Sequence, residues 1–206
     1  MLDAKITPYI KPLLHPIIKQ VDSFNISPNQ VTVVGFLIGM MAVPFIICGW
    51  WKSALLCIIF NRVFDGIDGE LARYQQSSTS AGGFLDICLD FLFYASVPLA
   101  FGLANPAEWG APAMVLLAAF IGTGSSFLAF AIAAEKFNID RPQFANKSFY
   151  YMHGLTEGTE TIILFLAFCL WPQHFTVMAY CFAAACAITI ITRVVGGFLT
   201  LKRVES

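Results

Sequence analysis

The chain has 206 residues, of which 58% are hydrophobic and only 12% charged, and its mean hydropathy is +0.72. Soluble domains carry about 25% charged residues, so this composition excludes an ordinary soluble enzyme and points to an all-α polytopic membrane protein built as one domain, residues 1–206. The net charge of −1 and the absence of a basic patch leave nothing to neutralise a phosphate backbone, so no nucleic acid is expected as a partner.

In chain order, the stretch ITPYIKPLLHPIIKQVDSF mixes apolar residues with lysines at roughly helical spacing and is interrupted by prolines. It reads as an N-terminal amphipathic helix lying on the cytoplasmic leaflet, an interfacial segment over 1–28; a mobile tail is the competing reading. Ser27 can then cap a helix whose first position suits Pro28. Six apolar runs follow, near 30–50, 53–72, 82–103, 111–134, 149–171 and 175–199. Each approaches the ~20 residues a bilayer span needs. Lipid cannot satisfy an open backbone, so the runs are expected to be six transmembrane helices forming a bundle over 29–200. The sizeable connection is EKFNIDRPQFANKS, 135–148.

Charge and aromatic residues orient this bundle. Lys5, Lys11, Lys19, Arg73, Lys136, Arg141, Lys147, Lys202 and Arg203 fall in the termini and alternate loops, and Lys52 is the sole basic residue in the other loops. The basic side is cytoplasmic by the positive-inside rule, which puts both termini there. Trp50, Trp51, Trp109 and Trp171 all fall at the opposite face, where indole rings favour the interface. The six cysteines sit in apolar runs without a C-x-x-C pair and read as small buried hydrophobes.

Against this apolar background the string FDGIDGELARYQQSSTSAGGFLDICLD stands out. Its skeleton is D-x-x-D-G-x-x-A-R, eight residues, then G-x-x-x-D-x-x-x-D. Two like charges ~5 Å apart at an effective dielectric of ~20 repel by about 3 kcal/mol, so four carboxylates here call for a counter-charge. Asp65 and Asp68 are three apart near the end of one run; Asp86 and Asp90 are four apart near the start of the next. Both spacings put the pair on one helix face, and an antiparallel pair of helices brings the two faces to one depth. Four hard oxygen donors suit Mg²⁺, Mn²⁺ or Ca²⁺ better than zinc, and two such ions would clamp an in-line phosphoryl displacement. Gly69 and Gly82 allow close approach of a ligand, Ala72 keeps the face low, and Arg73 offers a fork for phosphate. Helix packing for the glycines and snorkelling for Arg73 are the plainer alternatives.

This spaced set resembles the signature of the CDP-alcohol phosphotransferase family, class I CDP-alcohol phosphatidyltransferases, at every position. PN-x-x-T opening the first span and the six-run layout extend the likeness, which looks most like a small bacterial inner-membrane branch. The resemblance implies a homodimeric, Mg²⁺- or Mn²⁺-dependent enzyme of phospholipid biosynthesis. It would move a substituted phosphate, a phosphatidyl group, from a CDP-linked lipid or alcohol donor to an alcohol acceptor and release CMP. It implies that Asp65, Asp68 and Asp86 hold a first metal, that Asp65, Asp86 and Asp90 hold a second, and that Asp90 is the general base. Gly69, Ala72, Arg73 and Gly82 would line the cytidine diphosphate, on the cytoplasmic side. Asn29 and Thr32 match PN-x-x-T and would reach the nucleotide, although Asn29 is equally suited to capping or packing its helix. CDP-diacylglycerol with a small polar alcohol is the first expectation, and a CDP-alcohol with a diacylglycerol-like acceptor the second.

Other charges lie in apolar runs: Arg62, Arg193, Glu157 and Glu160. One reading pairs Arg with Glu inside the bundle. The other is an acceptor pocket in which Arg193, Lys147 and Arg141 hold a phosphorylated acceptor, or Glu157 and Glu160 a cationic or hydroxyl-rich one. His153 reads as packing or an interfacial hydrogen bond before a pocket role; His15 and His174 read as interfacial. The run Gly122, Thr123, Gly124, Ser125, Ser126 suits tight helix packing, with a pocket wall as the lesser option. A small transporter is the rival function class, since it too uses intramembrane acids. Here, however, the acids cluster at one end and no repeated halves are visible. An intramembrane aspartyl protease would need only two carboxylates and a G-x-G-D pattern, which is absent.

Overall fold

The computed structural model of the chain describes residues 16–137 and 156–205, and among them every regular element is helical. Residues 16–23 (α1) are followed by Pro28–Met40 (α2), Ala42–Ile47 (α3), Trp51–Tyr74 (α4), Ser80–Ala104 (α5), Pro106–Lys136 (α6), Gly158–Leu170 (α7) and Phe175–Glu205 (α8). The all-α expectation holds, and each of the six apolar runs contains helix. Among the described residues four stretches are long and apolar enough to cross a membrane: Pro28–Ile47, Ser80–Ala104, Pro106–Lys136 and Pro172–Val204. That is fewer than the six expected. Helix α4 has 24 residues, but Lys52, Arg62, Asp65, Asp68, Glu70 and Arg73 lower its apolar character. Helix α7 is apolar but has only 13 residues, and 149–155 of the expected fifth run lie outside the described residues.

The first span begins as its sequence predicts. Ser27 Oγ accepts from the Gln30 backbone and the Gln30 side chain accepts from the Ser27 N–H at 2.9 Å, a reciprocal cap ahead of Pro28. The span is interrupted at Met41, where α2 gives way to α3. Pro44 lacks the N–H that would bond the Met40 carbonyl one turn back, which explains a bend at this point. Gly49 then turns the chain with φ +74°, a conformation glycine adopts without strain.

Helix α2 lies along α4 at a spacing that excludes side chains. A Cβ at Gly35 would stand 2.6 Å from Phe64 Cβ, and one at Gly39 would stand 2.9 Å from Asn61 Nδ2. The buried Asn61 amide donates to the Gly35 carbonyl at 3.1 Å, which satisfies it and fixes the register of the two helices. Helix α6 packs on α5 and α8, and α7 packs on α4. A Cβ at Gly122 would stand 2.5 Å from Ile190 Cδ1, so this glycine serves the α6–α8 seam, as the small-residue run suggested.

An aromatic core fills the end of the bundle where α4 begins and α5 ends. Phe93, Phe101, Phe165, Phe168 and Phe175 are fully buried. Phe101 stacks on Phe175 with ring centroids 4.8 Å apart and on Trp51 at 5.5 Å. Trp51 and Trp109, partly buried, therefore pack against this core with their rings 5.9 Å apart, whereas Trp50 and Trp171 are exposed. At the other end, α1 is docked. Ile18 is buried against Val31, Ile67 and Leu71, and Gln75 Nε2 donates to Asp22 Oδ1 at 2.9 Å and to the Ile26 carbonyl at 3.2 Å. Ile17 and Lys19 on α1 remain exposed, so the described part of the N-terminal segment is a two-faced helix held against the bundle.

Candidate active site

Helices α4 and α5 run antiparallel through the short connection at 75–79, so the end of one and the start of the other share a level. Helical spacing puts Asp65 and Asp68 on one side, Asp86 and Asp90 on the other. Carboxylate oxygens of Asp65, Asp68 and Asp86 all lie within 4.8 Å of one another. All four aspartates, with Thr32 and Asn61, line one cavity of about 10 Å³, room for about one water-sized particle. Asp68 is buried, and its Oδ2 has no hydrogen-bond partner among the described residues. A buried carboxylate oxygen left without a partner is costly, and a cation in the cavity would remove that cost.

Mg²⁺ and Mn²⁺ fit this donor set. It offers oxygen only, the preference of hard cations. Ligands ~2.1 Å from an ion stand at most about 4.2 Å apart, so small side-chain rotations would close the three carboxylates on it. Asp90 lines the same cavity but lies outside the three-carboxylate cluster; its Oδ2 accepts from the Tyr94 hydroxyl at 3.3 Å. Arg62 Nη1 is ion-paired with Asp65 Oδ2, one turn away on α4. The i,i+3 spacing makes this aspartate a neighbour on the same helix face.

Beside the aspartates lies a cleft of about 210 Å³, lined by Asn29, Thr32, Gly69, Ala72, Arg73 and Gly82 together with Asp68 and Asp86. The six residues the motif assigns to the nucleotide are thus gathered on one surface, drawn from α2, α4 and α5. Asn29 is not the cap of α2, since Ser27 and Gln30 perform that task. A Cβ at Gly82 would stand 3.0 Å from Asn29 Oδ1 and would narrow the cleft. Thr79 caps α5, its Oγ1 accepting from the Gly82 N–H at 3.1 Å, so the N-terminal end of that helix borders the cleft with the polarity that favours an anion. Thr32 lines both spaces while its hydroxyl donates to the Pro28 carbonyl at 3.1 Å. Arg73 is 57% exposed and donates to Glu70 Oε1 at 2.6 Å, so one nitrogen of its fork is held by a glutamate that the motif does not mention.

A third space, about 450 Å³, lies between α5, α6, α7 and α8 and is lined by Arg193 and Glu157 among mostly apolar residues. Arg193 Nη1 donates to the Thr123 carbonyl at 3.2 Å. Glu160 is in the first turn of α7 but is not part of the lining. Arg141, Lys147 and His153 lie outside the described residues. Thr123 and Gly124 form part of the wall, so the small-residue run of α6 serves both packing and cavity.

The chain belongs to the CDP-alcohol phosphatidyltransferase family, whose model matches residues 25–194. It is accordingly an enzyme of the CDP-alcohol phosphotransferase class, a transferase in a membrane-protein fold. It is 54% identical over 205 residues to the inner membrane protein YnjF of Escherichia coli (strain K12), covering 100% of this chain and 99% of that one. It is 31% identical over 118 residues to the archaetidylinositol phosphate synthase of Pyrococcus horikoshii, covering 57% of this chain and 63% of that one. Its fold matches the crystal structure of Mycobacterium tuberculosis phosphatidylinositol phosphate synthase (PgsA1) in complex with manganese and citrate. The TM-score is 0.66 at 20% identity, over 89% of this chain and 88% of that one. The same synthase with CDP-DAG bound matches with a TM-score of 0.64, over 87% and 90%.

Proposed function

We propose that this protein transfers a phosphatidyl group from CDP-diacylglycerol to an alcohol, with release of CMP, using Mg²⁺ or Mn²⁺. The observation that carries the reading is the convergence of four aspartates on one ion-sized cavity, directly beside a cleft lined by the motif's small residues and Arg73. Manganese and CDP-DAG each accompany the fold in a solved relative, and here support the same assignment by analogy. Asp65, Asp68 and Asp86 would hold one ion; Asp65, Asp86 and Asp90 are the candidates for a second. Bound there, divalent cations neutralise diphosphate oxygens and ease departure of CMP.

The chain's own residues do the rest. Gly69, Ala72 and Gly82 leave room for the cytidine diphosphate, Asn29 and Thr32 offer polar contacts to it, and Arg73 with the N-terminal end of α5 attracts its phosphates. Tyr94 orients Asp90, which takes the proton of the acceptor hydroxyl as that oxygen bonds to phosphorus and the bond from phosphorus to the CMP oxygen breaks. In this reading α4 and the stretch ending in α7 also cross the bilayer, giving six spans. Both termini and the site face the cytoplasm of a bacterial inner membrane, and the enzyme works as a homodimer. A second reading, a CDP-alcohol donor with a diacylglycerol-like acceptor, draws support from the apolar cavity against α5. The test is to incubate purified protein with Mn²⁺, either donor and a panel of alcohols, and to follow CMP and the lipid product. Metal-dependent CMP release that Asp90→Asn lowers by roughly 10²–10⁴ is the expected result; flux of ions across liposomes without CMP would favour a transporter instead.

A further inference from the structure

Arg73 stands in the wall of the cleft beside the aspartates, and it is held at both its backbone and its head. The backbone lies in the last turn of α4, which is closed by three bonds. The Gln75 N–H donates to the Leu71 carbonyl at 2.9 Å, the Gln76 N–H to the Arg73 carbonyl at 3.2 Å and the Ser77 N–H to the Ala72 carbonyl at 2.9 Å. Gln76 completes this cap at φ +52°, the left-handed conformation such a helix end uses. The side chain of Arg73 folds back along its own helix. A Cβ on Gly69 would stand 3.5 Å from Arg73 Nη2 and 3.8 Å from Nη1, so the guanidinium lies beside that glycine in the cleft wall. There Nη2 donates to Glu70 Oε1 at 2.6 Å. Glu70 is not part of the lining, and its side chain is only 17% exposed against 57% for Arg73. The more buried partner anchors the more exposed one.

An ion pair whose arginine is this exposed adds little to stability. It does more for binding. An arginine loose in water loses rotamer freedom when a phosphate fixes it, which lowers affinity by up to about tenfold for one long side chain. Here the head is already set against Gly69 in the protein alone. A guanidinium carries several N–H donors, and the contact of Nη2 with Glu70 leaves others for phosphate oxygens. Resting on the role proposed above for Arg73, we infer that Glu70 is a positioning residue for the CDP-linked donor. It holds the Arg73 fork beside Gly69, so that the diphosphate meets a cation ordered in advance. Gly69, Glu70 and Arg73 then act as one unit: the glycine gives the bed, the glutamate the anchor and the arginine the contact.

The test measures equilibrium binding of CDP to the full chain in detergent micelles with Mn²⁺, by titration calorimetry, beside donor and acceptor KM from CMP release. Glu70→Ala should raise the CDP Kd and the donor KM about tenfold, with acceptor KM, Mn²⁺ affinity and melting temperature unmoved. Glu70→Gln keeps an acceptor oxygen without the charge. A neutral hydrogen bond has roughly half the strength of a charged one, so its rise should be about threefold. In an Arg73→Ala background either Glu70 substitution should change the CDP Kd by less than about twofold, because the glutamate then has nothing to position. An undiminished effect in that background overturns the inference, and so does unchanged CDP binding in both Glu70 variants. Tighter binding in both overturns it too, since the carboxylate would then be a rival of the diphosphate for the arginine. Each of these results leaves the transferase reading standing. Wild-type protein that neither binds CDP nor releases metal-dependent CMP removes both. Where Glu70→Ala fails to fold, the Glu70→Gln cycle gives the answer.

Discussion

The two halves of the α4–α5 pair obey opposite rules. Toward Trp51 and Ala104, residues Ala54, Ile58, Phe93, Val97, Ala100 and Phe101 are completely buried and meet rings from α7 and α8. Toward Tyr74 and Ser80, the same two helices hold four carboxylates around a cavity and thin to Gly69, Ala72 and Gly82 along a cleft. The first half is buried and filled with side chains. The second keeps empty space and mutually repelling charge, an arrangement that costs stability and persists where a ligand is to be bound. Stability and transfer should therefore separate along the length of one helical hairpin.

The contrast breaks most sharply at the carboxylate cluster. Asp86→Asn should bring CMP release below detection and abolish Mn²⁺ binding, while the metal-free melting temperature holds or rises because a repulsion is relieved. A large fall in melting temperature would erase the distinction between the halves. Asp90→Asn should lower kcat by roughly 10²–10⁴ yet retain Mn²⁺ at the other three aspartates, read by electron paramagnetic resonance. Phe101→Ala is the mirror experiment: about 3–5 kcal/mol of stability lost, seen in thermal or denaturant unfolding, with kcat unchanged at temperatures where the protein is folded. Gly82→Ala, which sets a methyl 3.0 Å from Asn29 Oδ1, should raise the donor KM about tenfold and leave the melting temperature alone. Ser27→Ala removes only the cap of α2 and should cost about 1 kcal/mol with transfer intact.

Much of the acidic half is legible in the sequence because charge in an apolar run has few explanations, and intervals of three and four residues fix a common face. Gly69, Ala72, Arg73 and Gly82 gain meaning only as a spaced set, and the structure does gather them with Asn29 and Thr32. The aromatic half is less readable. Trp51 and Trp109 read as interfacial from their positions, and their ring contacts with Phe101 and Phe175 at the edge of the core give no signal in the sequence. Tyr94 gives no signal at all, since an aromatic residue in an apolar helix looks like packing until Asp90 is seen within reach of its hydroxyl. Arg62 is visible as a charge in an apolar run, but its pairing with Asp65 depends on side-chain reach rather than on composition. The apolar cavity against α5 is space left by four helices, which no single segment encodes.

The seam at Gly35 and Gly39 has a consequence for traffic through the cleft. With no room for a methyl group at either position, α2 and α4 cannot slide along each other without separating, so the wall carrying Asn29, Thr32 and Arg73 acts as a fixed plate. The facing wall begins at Gly82 and hangs from Ser77, Ser78 and Thr79, all exposed. With the cleft holding the nucleotide as proposed above, exchange kinetics should respond to prolines placed in this exposed stretch while the bundle behind it stays still.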